Sequence, residues 1–334
     1  MAEPKPESKI NPNPQLQSYY ASLESVLGYD LLLGGTRHFG YYDDPKTYNP
    51  FPIGASLRRM EEVLFRALRA RAGASVLDAG CGNGHVARYM VRKGLHVTGV
   101  DVVERHIRKA RETAGKLAQE KEKEKGKRKG EGEMGSLDVR YMDYHHIDAL
   151  DDGSFDAVYT IDAFVHATDP ERALAGFFRV LKPGGRIAMH EYDNVLEEAE
   201  KQSASTSDSS AREGDKKKSK PMPSASLQRS MRQINEYSAM PMNARSRQGA
   251  LQEMLEAAGF VDVQVNDLSA HIRPMTRFFF LLAIVPFWIV SLLGLERYFI
   301  NTVAGVGAYR GYDFWRYVQI QARKPGEGAS VEGV

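Results

Sequence analysis

Nine residues, Val76 to Gly84 (V-L-D-A-G-C-G-N-G), constrain this chain more than any other stretch. A short apolar run ends in Asp78, glycines follow at Gly80, Gly82 and Gly84, and Val86-Ala87-Arg88-Tyr89-Met90-Val91 then reads as helix. Strand, tight glycine turn and helix, in that order, make the ligand-binding corner of a doubly wound sheet, where the turn delivers a ligand to a helix N-terminus. Glycine is needed where the backbone turns sharply or approaches a ligand closely. Asp78 sharpens the reading: a carboxylate there repels a pyrophosphate and attracts a ligand with an ammonium or sulfonium head. S-adenosylmethionine carries both. The G-x-G-x-G spacing, in place of G-x-G-x-x-G, likewise argues against a nicotinamide-dependent oxidoreductase on a similar sheet.

The rest of the chain supplies a matching sheet. His96–Asp101, Leu137–Met142, Phe155–Ile161 and Arg186–Glu191 read as buried strands, alternating with helices over 102–118 and 169–181, the latter stopped by Lys182-Pro183-Gly184-Gly185. Val261–Asp267 and Trp315–Ala322 read as the last two strands. Alternation of strand and helix predicts an α/β fold: a doubly wound, Rossmann-like sheet of seven strands with right-handed crossovers. Residues 71–195 form its ligand-binding core and 231–325 its C-terminal part. Residues 16–70 are helical and aromatic, a lid over the substrate. The Pro-rich tail 1–15 and the Ser- and Lys-rich insertion 196–230 have little to bury and are expected to be disordered; residues 326–334 form a tail. The mixed-charge run 119–136 is expected to be a solvated loop.

With 334 residues, 42% of them hydrophobic and 26% charged, the chain has a soluble composition and can bury one large core. A net charge of +2 offers no global attraction for nucleic acid. The one cysteine, Cys81, excludes an intramolecular disulfide and fits a reducing, cytoplasmic setting; between two glycines it reads as a small residue in a tight turn. Met1–Pro14 lacks an apolar h-region, so no secretory signal is expected. His145 and His146 point to opposite faces of an extended segment and gain no further ligand spacing, so no metal site is predicted.

Phe278–Leu295 carries no charge over eighteen residues, with Pro286 in its middle and Arg273, Arg277 and Arg297 around it. Three readings compete for this apolar insertion (275–300) before the last strand: a buried helical hairpin broken at Pro286, a lid on an apolar pocket, or a membrane-embedded segment. A spanning helix would pull the last two strands apart, so any peripheral membrane contact through 278–295, on an intracellular membrane, is expected to lie in the interface.

Asp101 ends the second strand 23 residues beyond Asp78, placed to accept the ribose hydroxyls, with Val102 to cover the adenine. Asp143 follows the third strand, with Tyr144 beside it, and Ile161 ends the fourth. These residues line the carboxyl edge of the sheet, where such folds bind ligands.

On these motifs, together with V-T-G-V-D, F-D-A-V-Y-T-I-D-A-F-V-H-A-T-D (155–169) and L-K-P-G-G-R-I-A-M-H-E-Y (181–192), the chain resembles the class I S-adenosylmethionine-dependent methyltransferases, and most of all their sterol side-chain and small-molecule group. The aromatic segment 27–42 and the closing run Phe314–Pro325 are similar to that group as well. The resemblance implies methyl transfer to an apolar small molecule, a sterol, isoprenoid or secondary metabolite, with carbon favoured over oxygen, nitrogen or sulfur as acceptor. A non-catalytic protein that keeps the cofactor fold is the remaining alternative. Tyr20, Phe39, Tyr42 and Phe164 are then candidate walls for the substrate, since aromatic faces stabilise a developing cation. Asp162, His166 and His38 are candidate bases. The sequence is silent on oligomeric state.

Overall fold

A computed structural model describes residues 10, 13–124, 133–194 and 223–326. Seven strands, β1 (Ser75–Ala79), β2 (His96–Asp101), β3 (Ser136–Tyr141), β4 (Phe155–Ile161), β5 (Leu181–Asn194), β6 (Val261–Asp267) and β7 (Trp315–Arg323), form one sheet in the order β3-β2-β1-β4-β5-β7-β6. The first five run parallel; β7 is antiparallel to both β5 and β6. The order reverses between β1 and β4, the switch point at which such sheets bind ligands.

Strand periodicity divides the core. Val76, Ala157, Tyr159 and Ala188 face α3 (Ile53–Leu68) and α4 (His85–Arg92), where Leu64, Leu68 and Met90 meet them. Their neighbours Leu77, Val158, Ile187 and Met189 face α6 (Pro170–Val180), packing on Leu174 and Phe177. Each such fully buried aliphatic side chain is worth about 1.5–3 kcal/mol, so both faces of the sheet are firmly covered.

Several expectations need correction. Helix α5 runs over Glu104–Glu124, so the charged run is helical as far as 124. Leu117 is buried, Arg92 pairs with Glu120 at 2.8 Å, and Lys121 donates to the Gly135 carbonyl, which anchors a helix that composition alone reads as solvated. Residues 125–132 lie outside the described residues. The tail prediction for 1–15 falls outside them up to 9, and at 11 and 12; Asn13 caps α1 (Pro14–Ala21) by accepting from the Leu16 N–H. Of the 196–230 insertion, 196–222 lies outside them, and Ala225–Tyr237 forms α7, followed by α8 (Ala250–Ala257). Residues 327–334 lie outside as well.

The apolar insertion does not break at Pro286. Helix α9 (Ser269–Leu292) runs through both Pro274 and Pro286, and the chain turns back only after it, with Gly294 at φ +65°. A proline removes one helical hydrogen bond, a loss that the returning α10 (Ile300–Arg310) helps to offset by packing along the same stretch: Phe280 stacks on Tyr309 at 4.6 Å. Gly305 lets the two helices approach; a Cβ there would stand 3.0 Å from that of Ala283. Nor is the hairpin buried, for Leu281, Val285, Trp288 and Leu292 are exposed.

Candidate active site

The glycine turn builds the first cavity. Gly80, Gly82 and Gly84 have φ of +94°, +52° and +78°, and a Cβ on Gly80 would stand 2.5 Å from that of Ala163. The Gly82 N–H donates to Asp101 Oδ2 at 2.9 Å and the Val103 N–H to Oδ1 at 2.8 Å. Burial alone would raise the Asp101 pKa, but His106, whose Nδ1 is 3.4 Å from Oδ2, and these two N–H groups outweigh it and hold the carboxyl below its ordinary range. A fixed carboxylate at the tip of β2 suits two vicinal hydroxyls. Gly80, Gly82, Asp101, Val102, Asp143, Tyr144 and Ile161 all line this cavity, and so do Tyr20, His38, Asp162 and His166. Tyr144 donates to the Ala163 carbonyl at 3.1 Å and so ties the β3 and β4 loops together.

Asp78 is elsewhere. It is 1% exposed, off the cavity wall, and accepts a 2.7 Å hydrogen bond from the Tyr159 hydroxyl, its register partner on β4. Burial pushes its pKa up to about 7. The expected contact with a cationic head is therefore corrected: Asp78 braces the turn from beneath. Gly84 likewise does not line the cavity; it caps α4.

A second, apolar cavity of about 850 Å³ adjoins the first. Tyr19, Tyr29, Phe39, Tyr192 and Trp315 line it, together with Leu282 and Pro286 of α9, Phe299, and Leu23, Leu27 and Leu32. The last three come from α2 (Leu23–Leu27) and the π-helical turn Gly28–Leu32. The Glu24 carboxylate accepts from the N–H groups of Asn301 and Thr302, at 2.8 and 2.7 Å, and so locks α2 onto the start of α10. The insertion is thus a cavity wall. Two expected wall residues are not: Tyr42 is buried with its hydroxyl on the Pro50 carbonyl, and Phe164 packs in the core against Phe177.

Arg37, His38 and Asp162 border both cavities. Sequence reasoning passed over Arg37. Its guanidinium lies over the rings of Tyr20 and Tyr29 at 4.9 and 4.7 Å, and its Nε and Nη1 are buried without a hydrogen-bond partner among the described residues. Asp162 sits at φ +52°, strained for a residue with a Cβ, and its Oδ1 is also buried without a partner. Burial, then the nearby Glu191, push its pKa up, against the pull of the Tyr317 and Tyr192 hydroxyls beside it. His38 donates from Nδ1 to the Phe39 carbonyl at 2.9 Å; its Nε2 is unpartnered, 3.7 Å from Glu61 Oε1.

His166 differs. Its Nδ1 is 2.8 Å from the Ala239 carbonyl, which can only accept, so Nε2 holds the lone pair and takes the Tyr20 hydroxyl at 3.1 Å. Burial lowers its pKa to about 4. Neutral and fully engaged, it clamps α1 over the cofactor cavity and has no lone pair left for a substrate proton, which corrects its role as a base. Glu191, also unforeseen, accepts from the N–H groups of Phe164 and Val165 and from the Thr160 hydroxyl, fixing the loop that carries Asp162.

Residues 77–189 match the family model described as a methyltransferase domain. The chain is 41% identical over 310 residues to an S-adenosyl-L-methionine-dependent Diels-Alderase of Talaromyces variabilis, covering 93% of this chain and 94% of that one. The chain belongs to the class I S-adenosylmethionine-dependent methyltransferase family. A second S-adenosyl-L-methionine-dependent Diels-Alderase, of a Neonectria species, is 39% identical over 255 residues, 76% of this chain and 86% of that one. In fold the chain is similar to the crystal structure of the (4+2)-cyclase SpnF, with a TM-score of 0.58, 20% identity, and coverage of 91% of this chain and 96% of that one. The sterol-type enzymes are one of several related groups in the family. The cofactor is S-adenosylmethionine, as the glycine turn and Asp101 suggest.

Proposed function

We propose that this chain is an S-adenosylmethionine-dependent cyclase, which folds an apolar polyene in its large cavity and promotes an intramolecular (4+2) cycloaddition. The observation that carries this reading is the junction: an apolar cavity meets the cofactor cavity at Arg37 and Asp162, two groups with polar atoms that lack hydrogen-bond partners among the described residues. The likeness to two Diels-Alderases supports it. In the reaction two carbon–carbon σ bonds form, three π bonds become one, and no proton or leaving group moves. The chain's part is to hold diene and alkene about 3–3.5 Å apart, which can contribute about 7–11 kcal/mol, and to polarise a carbonyl on the alkene with the N–H groups of Arg37. A bound cofactor would supply a sulfonium charge to this chemistry. This reading turns the expected methyl transfer to carbon into ring closure, and it keeps the hydrophobic small-molecule substrate and the cytoplasmic setting.

The free Nε2 of His38 favours a second reading, transfer of the methyl group to a substrate hydroxyl with His38 as base. One experiment decides. The protein is incubated with S-adenosylmethionine and a synthetic acyclic substrate bearing a conjugated diene and an activated alkene. A cyclised product of unchanged mass, formed without S-adenosylhomocysteine, is expected. A product heavier by one methylene, with an equal amount of S-adenosylhomocysteine, overturns the cyclase reading.

A further inference from the structure

The α9–α10 hairpin presents an unusual surface. Beyond Phe280 it exposes Val285, Trp288, Ile289, Leu292 and Leu293, with Trp288 63% and Leu292 86% accessible. Soluble monomers seldom expose so continuous an apolar patch without a use for it. This patch runs into the mouth of the 850 Å³ cavity, where Leu282, Tyr298 and Phe299 are exposed on the hairpin side and Leu23, 73% accessible, and Leu27 on the other. From Ser269 to Arg310 the hairpin carries four arginines (Arg273, Arg277, Arg297, Arg310) against one acid, Glu296.

We infer that the hairpin tip docks into one leaflet of an anionic bilayer, with the cavity mouth against the lipid, so that an apolar substrate passes from membrane to cavity without crossing water. Three features favour a bilayer over a second copy of the chain. Trp288 and Tyr298 beside Arg297 are the residue types that settle at the headgroup boundary. The excess of arginine suits anionic headgroups. The mouth opens inside the patch, so a second copy seated there would shut it. The depth is limited: Leu281 to Leu293 is about 20 Å of helix at 1.5 Å per residue, short of the roughly 30 Å hydrocarbon core, and the chain then turns back. The hairpin enters a leaflet and does not span.

The loading role rests on the cavity being the substrate's seat; the docking does not. Docking is therefore measured without turnover, on the full-length protein saturated with S-adenosylmethionine. Vesicles of phosphatidylcholine, with and without phosphatidylserine, are floated with the protein, and tryptophan emission is followed as brominated lipid is added. The chain has two tryptophans. Trp288 is at the hairpin tip, whereas Trp315 is inside, stacked on Phe39 with its indole N–H on the Ala308 carbonyl. Flotation that rises with phosphatidylserine, and quenching that Trp288→Phe removes, are expected. Leu292→Asp with Leu293→Asp lowers vesicle partitioning about tenfold or more, with melting temperature and cofactor affinity unchanged. Overturning results are absence of flotation from both vesicle types, quenching that persists in Trp288→Phe, or a lipid-free dimer that the double aspartate variant dissolves. A failed cyclisation assay with intact flotation would sink the cyclase and leave the docking.

Discussion

The two cavities are made in different ways. The cofactor cavity is at base a property of backbone: positive-φ glycines, strand ends and N–H groups place Asp101 along the ends of β1 to β4, and the N-terminal segment with Tyr20 and Arg37 only closes over it. The apolar cavity is a property of side chains from segments far apart in the chain, such as the Tyr19 hydroxyl on Asn301 and Glu24 on the start of α10. The first can stay constant while the second changes, which is how one sheet serves many acceptors, and serves both methyl transfer and cyclisation.

If the cofactor turn is a rigid backbone device braced from beneath, the largest effect belongs to Asp78. Its pKa in the folded, ligand-free protein is about 7 against an ordinary 3.8. A raised acid binds its proton more tightly when folded, so stability is lost as pH rises from about 4 to about 7 and is level outside that window. Asp78→Asn, which keeps an acceptor for Tyr159, removes this loss; above pH 7 the variant gains up to about 4 kcal/mol over the parent. Thermal melts of both proteins from pH 4 to 8 measure it, and a gap that stays constant with pH would refute the raised pKa of the buried acid.

Asp101→Ala comes next. It removes the carboxylate that faces the cavity and orphans the Gly82 N–H. Calorimetry is expected to show S-adenosylmethionine affinity falling about 100-fold, near 3 kcal/mol. Binding of an apolar dye in the second cavity should persist. Loss of both together would dissolve the distinction between the two cavities.

How much of this was readable in the sequence follows the same divide. The glycine turn, the acids at the strand ends and the order of strand and helix are local patterns, and each strand expected from 76 to 322 is present. Asp78 misled because spacing along a strand does not say which side of the turn a side chain serves; Tyr159, 81 residues on, is beside it only through the β1–β4 register. His166 looked like a base because its two partners, Tyr20 and Ala239, lie 146 and 73 residues away. Phe164 and Tyr42 looked like walls on residue type alone, yet the core takes the one and the Pro50 carbonyl holds the other. Pro286 looked like a break, but a helix with a partner packed along it tolerates the loss of one hydrogen bond. Arg37 carried a readable signal: an arginine in a largely apolar and aromatic segment needs a partner, and its Nε and Nη1 have none among the described residues.

The smallest effect tests the other half of the comparison. Glu24 is a helix cap supplied from another segment: its carboxylate takes the first N–H groups of α10 and the Thr302 hydroxyl at 2.7 Å. Caps of this kind, with the charge at the positive end of a helix, are worth about 1–2 kcal/mol. Glu24→Ala should lower the melting temperature by a few degrees and loosen the cavity wall. Dye binding and turnover should fall while S-adenosylmethionine affinity holds, because no part of the cap touches the glycine turn. Glu24→Gln, which keeps an acceptor without the charge, should fall between the two. If Glu24→Ala weakens the cofactor as much as the dye, the apolar wall and the cofactor turn move as one body, and the substrate side of this fold is less free to vary than its construction implies.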